Sequence, residues 1–299
     1  MSNTRRWPGS LGFGMADSQS AHVPSPEGRR AFDSNYSALI RTFNSGKTIS
    51  DTIRSLEAQS CPPDHYIIVD SGSTDSTLKL IPPNSTVINY VGSKFNYSSA
   101  INQGLELVGT DYVLIISSHT QLWHISALHY ALDWLRLNSS YGAAYFCNEE
   151  GPNPTGIEVD VETFDGHNGI WNTSALLRTD LVRHRPFRPE VFSAEDQEWS
   201  RWLLENTPFT ILRISGAGLK YGGPNGYSIK KRLDEHEAIA VFTKPGKLTP
   251  AYLLRVGYRV VRPISSFDAR QFNFLLLMRL VGRVARSKLF RDGRDNRHA

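Results

Sequence analysis

Along the chain, short apolar runs alternate with segments whose apolar residues recur at helical spacing. Tyr36-Ser-Ala-Leu-Ile-Arg-Thr-Phe43 reads as an apolar strand that runs into the polar turn Asn44-Ser-Gly-Lys47. Over residues 48–59, Ile49, Ile53 and Leu56 fall on one helical face. Cys61-Pro-Pro-Asp64 ends that helix, because proline lacks the amide donor a helix interior needs. Residues 66–70 form a buried-type strand ending in Asp70, and Ser71-Gly-Ser-Thr-Asp75 then turns, with Thr74 or Asp75 able to cap a short helix. The alternation continues with a strand over 86–90, a helix over 97–108, a strand over 112–117, a helix over 122–137 and a strand over 142–147.

Strand–helix–strand repeats at this spacing imply an α/β domain, a mostly parallel sheet flanked by helices. Ligands of such sheets bind at the carboxyl ends of the strands. Polar groups follow three strand ends, at 41–44, 70–75 and 117–120, and together they make one expected site. Residues 1–34 carry Gly, Ser, Pro and Arg with no apolar period and read as a disordered leader. The α/β domain is expected over 35–240 and a helical basic region over 241–299. Within the latter, 271–290 reads as an amphipathic helix, with Phe274, Leu277, Met278, Val281, Val284 and Ala285 on one face and Arg279, Arg283 and Arg286 on another.

Composition adds little until it is placed along the chain. A 299-residue protein with 40% hydrophobic and 21% charged residues can bury a substantial core. The net charge is +4, yet residues 269–299 alone hold eight Lys/Arg against two Asp. Positive charge confined to a tail, with no recognition helix, argues against a nucleic-acid partner. A basic amphipathic helix can lie on an anionic membrane, or it can pack on its own domain or on a second subunit. Two cysteines outside any Cys-x-x-Cys pair, Cys61 and Cys147, fit a reducing compartment. No apolar run has the length of a signal-peptide core or of a membrane span, so a cytoplasmic protein, at most peripheral at the inner face of the membrane, is expected.

Leu39-Ile-Arg-Thr-Phe-Asn44, Ser55-Leu-Glu-Ala-Gln-Ser60 and Ile67-Ile-Val-Asp-Ser-Gly-Ser-Thr-Asp75 resemble, in order and spacing, the opening of bacterial family 2 glycosyltransferases of GT-A fold. Phe95-Asn-Tyr-Ser-Ser-Ala-Ile-Asn102 and Gly109-Thr-Asp-Tyr-Val-Leu-Ile-Ile-Ser-Ser-His119 extend the likeness to rhamnosyltransferase-like enzymes of surface polysaccharide synthesis. The resemblance covers about 36–240. It implies a hexosyltransferase that moves a sugar, with inversion, from a UDP- or dTDP-sugar to a hydroxyl of a cell-surface glycan or lipid-linked acceptor. Asp70 can accept a hydrogen bond from a uracil or thymine N–H or a ribose hydroxyl, or it can simply form the turn. The Ser71-Gly72 backbone can approach a base closely. By resemblance, Thr42 and Asn44 line the same nucleotide pocket, with Arg41 in the same turn.

The Asp-x-Asp that holds a divalent cation in most members falls here on Ser117 and His119. Paired carboxylates hold Mg²⁺ or Mn²⁺ well, whereas a hydroxyl and an imidazole hold Mg²⁺ poorly and suit Mn²⁺ better. Three roles stand open for His119: Mn²⁺ ligand, metal-free hydrogen-bond donor to the leaving phosphate, or ordinary strand-end residue. A second family element, a His-containing segment near the cation, corresponds to Leu219-Lys-Tyr-Gly-Gly-Pro-Asn-Gly-Tyr227, which has no histidine. Lys220, or Lys230 and Lys231, can neutralise diphosphate charge instead. The cation is therefore implied by the resemblance and not by the residues.

Phe192-Ser-Ala-Glu-Asp-Gln-Glu-Trp199 is similar to the segment that carries the family's catalytic base. Ser193 stands where it can cap a helix, and acidic residues suit the positive first turn in any case. The resemblance gives Asp196 the proton of the acceptor hydroxyl, with Glu195 or Glu198 orienting nearby groups. Trp171, Asn172 and Glu195 fall in its acceptor region, although Trp171 serves equally as core. The rival reading is a nucleotide-sugar-binding protein without turnover, prompted by the altered Asp-x-Asp. A nucleotidyltransferase would need a longer phosphate loop than Phe43-Asn-Ser-Gly-Lys47.

Overall fold

The computed structural model describes residues 4–6, 35–222, 228–243, 249–262 and 267–295. Among these residues nine strands form one sheet, in chain order β1 (Thr4–Arg6), β2 (Tyr36–Thr42), β3 (His65–Asp70), β4 (Thr86–Asn89), β5 (Tyr112–Ser117), β7 (Tyr141–Phe146), β8 (Thr155–Val159), β9 (Ser174–Arg178) and β10 (Thr210–Ser215). Their order across the sheet is β1-β8-β10-β7-β9-β5-β2-β3-β4. From β4 to β5 all pairings are parallel, as the alternating pattern requires. Beyond β5 the sheet is mixed: β9 runs antiparallel to both β5 and β7, and β8 antiparallel to β10. The reversal positions the site. Ser174 pairs with Ile116, and the Ser117 N–H donates to the Thr173 carbonyl at 3.1 Å, so Asn172 arrives beside the carboxyl end of β5.

Alternation along the strands divides the core between two faces. Ala38, Ile40, Leu114 and Ile116 face α1 (Ile49–Glu57) and α3 (Ala127–Leu137). Leu39, Ile67, Val113 and Ile115 face α2 (Tyr97–Leu105), α4 (Thr179–His184) and α5 (Glu195–Asn206), where Trp199 and Leu203 are buried. Helix α2 sits close because Gly104 has no side chain: a Cβ there would lie 2.5 Å from Leu39 Cδ1 and 2.9 Å from Val69 Cγ2. The helix expected over 122–137 starts later, at Ala127. Thr120–Leu122 is instead a short strand, β6, antiparallel to β11 (Leu219–Tyr221). Trp123 and His124 donate their amides to the Gly218 and Ala217 carbonyls, and this pairing holds the segment out of the helix.

The C-terminal part is helical: α6 (Ile229–Ala238), a π-helical turn Ile239–Thr243, α7 (Pro250–Val261) and α8 (Phe267–Asp295). Leu233, Ala240, Val256, Leu276 and Leu280 make a third core cluster, so the expected boundary at 240 falls inside it. Helix α8 docks through Leu276 and Leu280, leaving Phe274, Met278 and Val281 of the expected apolar face exposed. Arg279 pairs with Asp234 at 2.6 Å, and Arg283 pairs with Glu237, so α6 neutralises that basic face; the Arg286 side chain lies outside the described residues. Of the expected leader, Thr4–Arg6 is an edge strand and 7–34 lie outside the described residues. Cys61 and Cys147 are buried free thiols. Among the described residues no helix is long and apolar enough to cross a membrane.

Candidate active site

The turns after β2, β3 and β5 enclose a cavity of about 410 Å³ lined by Arg41, Thr42, Phe43, Ser71, Phe95, Tyr97, Ser117 and His119, among others. Two expected nucleotide residues build its wall from behind. Asp70 is buried, and its carboxylate accepts the Gly72 and Ser73 amides at 3.0 and 2.8 Å and the Ser73 hydroxyl at 2.5 Å. Those bonds bend the 71–73 turn, with Gly72 at φ +88°. Asn44, at φ +47°, accepts the Thr74 amide at 2.8 Å and donates its own amide to the Ser73 hydroxyl at 2.8 Å, which ties the first turn to the second. Asparagine tolerates this left-handed conformation better than most residues. Ser71 and Thr42 face the cavity itself, and the Thr42 hydroxyl is buried without a protein partner.

A smaller cavity of about 150 Å³ shares Arg41, Tyr97, Ser117 and His119 with the first and continues to Asn172, Glu195, Asp196, Lys231 and Glu235. Asn172 is the hub between the two ends. Its carbonyl accepts from Arg41 at 3.1 Å, its side-chain amide donates to Glu195 at 3.1 Å, and its backbone N–H donates to Asp196 at 3.2 Å. The Arg41 guanidinium lies 5.2 Å from the Tyr97 ring centre, and its Nε and Nη1 are buried without a hydrogen-bond partner. His119 meets the Tyr221 ring edge to face at 4.6 Å. Burial, with the positive charges of Arg41 and Lys231, pushes its pKa down to about 4, so the ring is neutral at neutral pH.

Asp196 lies in the first turn of α5, and burial together with the Glu195 carboxylate pushes its pKa up to about 7, against the pull of the Asn172 and Gln197 amides. Burial also raises Glu235. Ala194, not Ser193, stands at the start of α5, left-handed at φ +55° and making no side-chain cap bond. That conformation costs a non-glycine residue roughly 1–2 kcal/mol, and the turn it makes delivers Glu195 and Asp196 to the cavity. Glu198 points elsewhere, paired with Arg185 and, at 3.4 Å, with Arg188. Trp171 lies tilted at 47° against Tyr145, 5.4 Å between ring centres, and packs on the core outside both cavities. Of the three candidate lysines, Lys220 lies over Trp123 and Lys230 pairs with Asp234; Lys231 alone reaches the site. Tyr97 and Glu235 were not singled out from the sequence. The four-residue step from Lys231 to Glu235, on one helical face, was the available signal for the latter.

Residues 37–157 match the family profile described as Glycosyl transferase family 2. The chain is a glycosyltransferase, similar to family 2 over this segment. Its reaction is transfer of a sugar from a nucleotide-sugar donor to an acceptor hydroxyl. No curated protein matches the transferase in sequence. Among solved structures, S. aureus TarS is 18% identical at a TM-score of 0.54, over 83% of the transferase and 43% of TarS. Glucosyl-3-phosphoglycerate synthase from Mycobacterium tuberculosis, solved with Mn²⁺, UDP and phosphoglyceric acid, is 16% identical at 0.53, over 69% and 76% of the two chains. A mannosyltransferase from Pyrobaculum calidifontis, solved with GDP-Man and Mn²⁺, is 15% identical at 0.52, over 87% and 79%. At these identities the likeness is one of fold, and the transferase has the GT-A sheet and helices.

Proposed function

We propose that the transferase takes its sugar from a UDP- or dTDP-sugar and delivers it, with inversion, to a hydroxyl of a cell-surface glycan or its lipid carrier, as in the rhamnosyltransferase-like branch. The observation that carries this reading is the continuity of the two cavities through Arg41, Tyr97, Ser117 and His119, with Asp196 in the second. The larger cavity holds the nucleotide, against Thr42, Ser71 and the aromatic rings of Phe43, Phe95 and Tyr97. The sugar then lies at the junction, and the acceptor hydroxyl meets Asp196. Asp196 takes the hydroxyl proton as the oxygen attacks the anomeric carbon, and the bond to the diphosphate breaks on the opposite side with its electron pair leaving on phosphate. A base with a pKa near 7 is substantially ionised around neutral pH and a far better proton acceptor than an ordinary carboxylate. Glu195 is held by Asn172 and positions that amide rather than touching the reacting atoms.

Calorimetric titration tests the donor class: UDP or dTDP binds, and GDP does not. Absence of binding by UDP and dTDP alike would overturn the reading.

We also propose that the helical hairpin rests on an anionic membrane at its cytoplasmic face, where lipid-linked acceptors are reached. Leu254, Tyr258 and Val261 on α7 and Phe274, Met278 and Val281 on α8 are exposed large apolar side chains, and Arg255, Arg259 and Arg262 beside them are exposed too. The protein is expected to co-sediment with vesicles of anionic lipid, and Leu254→Asp with Met278→Asp to abolish it. Equal sedimentation of wild type and variant would refute the docking surface.

A further inference from the structure

Two structures of similar fold are solved with Mn²⁺ beside UDP or GDP-Man in the complex, whereas Ser117 and His119 here, where the family resemblance puts its Asp-x-Asp, fit a divalent cation poorly. Ser117 and His119 supply one hydroxyl and one imidazole, where a hard cation wants several charged oxygens. No group of three His, Cys, Asp or Glu able to hold a metal occurs among the described residues. Two cationic groups stand at the same place: the Arg41 guanidinium, 5.2 Å from the Tyr97 ring centre, and the Lys231 ammonium, 5.9 Å from it. Both line the cavity that also holds Ser117 and His119. Glu195, Asp196 and Glu235 also line this smaller cavity, whereas the larger one, which shares Arg41, Ser117 and His119 with it, has no carboxylate in its lining, so an anion is favoured there.

From this we infer that Arg41 and Lys231 bind the donor's diphosphate directly, in place of a metal ion. The inference rests on the nucleotide-sugar reading above. Arg41 is built for the task. It rises from the end of β2 in register with Ser117, Asn172 holds one of its nitrogens, and its buried Nε and Nη1 have no protein partner. Buried guanidinium donors left unpaired are costly, and a phosphate would satisfy them with the forked geometry that arginine offers. Lys231 approaches from the other side of the chain, on the first turn of α6, where the Ser228 hydroxyl caps the helix. His119 is neutral between them, a hydrogen-bond donor and not a third charge. As the glycosidic C–O bond breaks, its electron pair passes to the terminal phosphate and the proton of the acceptor goes to Asp196. The charge that develops on phosphate falls on Arg41 and Lys231.

The test is calorimetry of UDP and dTDP with the full chain, in EDTA and in Mn²⁺, repeated on Lys231→Met, whose side chain is exposed and whose fold is not at stake. The nucleotide that binds is expected to bind within about twofold in the two buffers. Lys231→Met is expected to weaken it about tenfold while leaving the corresponding nucleoside unchanged, since only the diphosphate contact is lost. Binding that requires Mn²⁺ would overturn this inference and leave the donor reading standing. So would an unchanged affinity in Lys231→Met. Absence of binding by both nucleotides in both buffers would overturn the two together.

Discussion

Asp196 and His119 share a cavity and are pushed in opposite directions, the carboxyl up to about 7 and the imidazole down to about 4, with burial the leading cause of both. Burial disfavours whichever form is charged, so an acid rises and a base falls. The base must be ionised to accept a proton. The rate kcat is therefore expected to fall as pH drops through about 7, with no second inflection from His119 above pH 5, and a pH–rate profile checks both. A flat profile from pH 5 to 8 would remove Asp196 from the base role. Glu198, two residues on, has a structural duty. It is buried against Arg185 and Arg188, and Glu198→Ala is expected to cost about 3 kcal/mol in denaturant unfolding, because it strands a largely buried guanidinium. Nucleotide affinity should not move. From the sequence, Glu198 and Glu195 were equally good candidates for orienting groups near the base. Their partners separate them: Glu195 accepts from the Asn172 side-chain amide at the cavity, whereas Glu198 pairs with Arg185 and Arg188.

At the scale of elements, the patterns that were legible are those set by local spacing. The strand ending at Thr42, the strand ending at Asp70 and the helix over 49–57 lie where apolar periodicity puts them. What escaped was decided by distant partners. Leu122 reads as the start of a helix because it continues the apolar series of α3, and only the pairing of Thr120–Leu122 with Leu219–Tyr221 makes it part of a strand. Antiparallel β9 likewise has no local signature, since its direction depends on where the chain turns back. Ser193 looked like a cap, yet the left-handed turn at Ala194 takes it out of that position. Close approach of elements gives its own test. Gly104→Val would drive a branched side chain into Leu39 and Val69 beneath α2, and a loss of about 2–3 kcal/mol is expected in equilibrium unfolding. Unchanged stability would mean that α2 can lift from the sheet without cost.

At the scale of the molecule, the site is assembled from both halves. The parallel strands supply Arg41, Ser117 and the turn held by Asp70, while the return through Asn172 and the start of α5 supply Glu195 and the proposed base, Asp196. Helix α6 adds Lys231 on the site side and joins the α7–α8 cluster through Leu233. Motif resemblance reached the first group because its residues lie within a few residues of a strand end, and the second through the segment that opens α5. It narrowed the third only to a set of lysines, because which lysine reaches the diphosphate depends on how α6 folds back. The central claim is that this assembly transfers sugar with Asp196 as base. The most direct measurement is release of nucleoside diphosphate from a panel of UDP- and dTDP-sugars with a glycan acceptor, by wild type and by Asp196→Asn. At least one donor is expected to turn over, and Asp196→Asn to slow it about a hundredfold or more while binding the nucleotide as wild type does. Equal turnover by the two proteins, or none by the wild type with any donor it binds, would contradict the account.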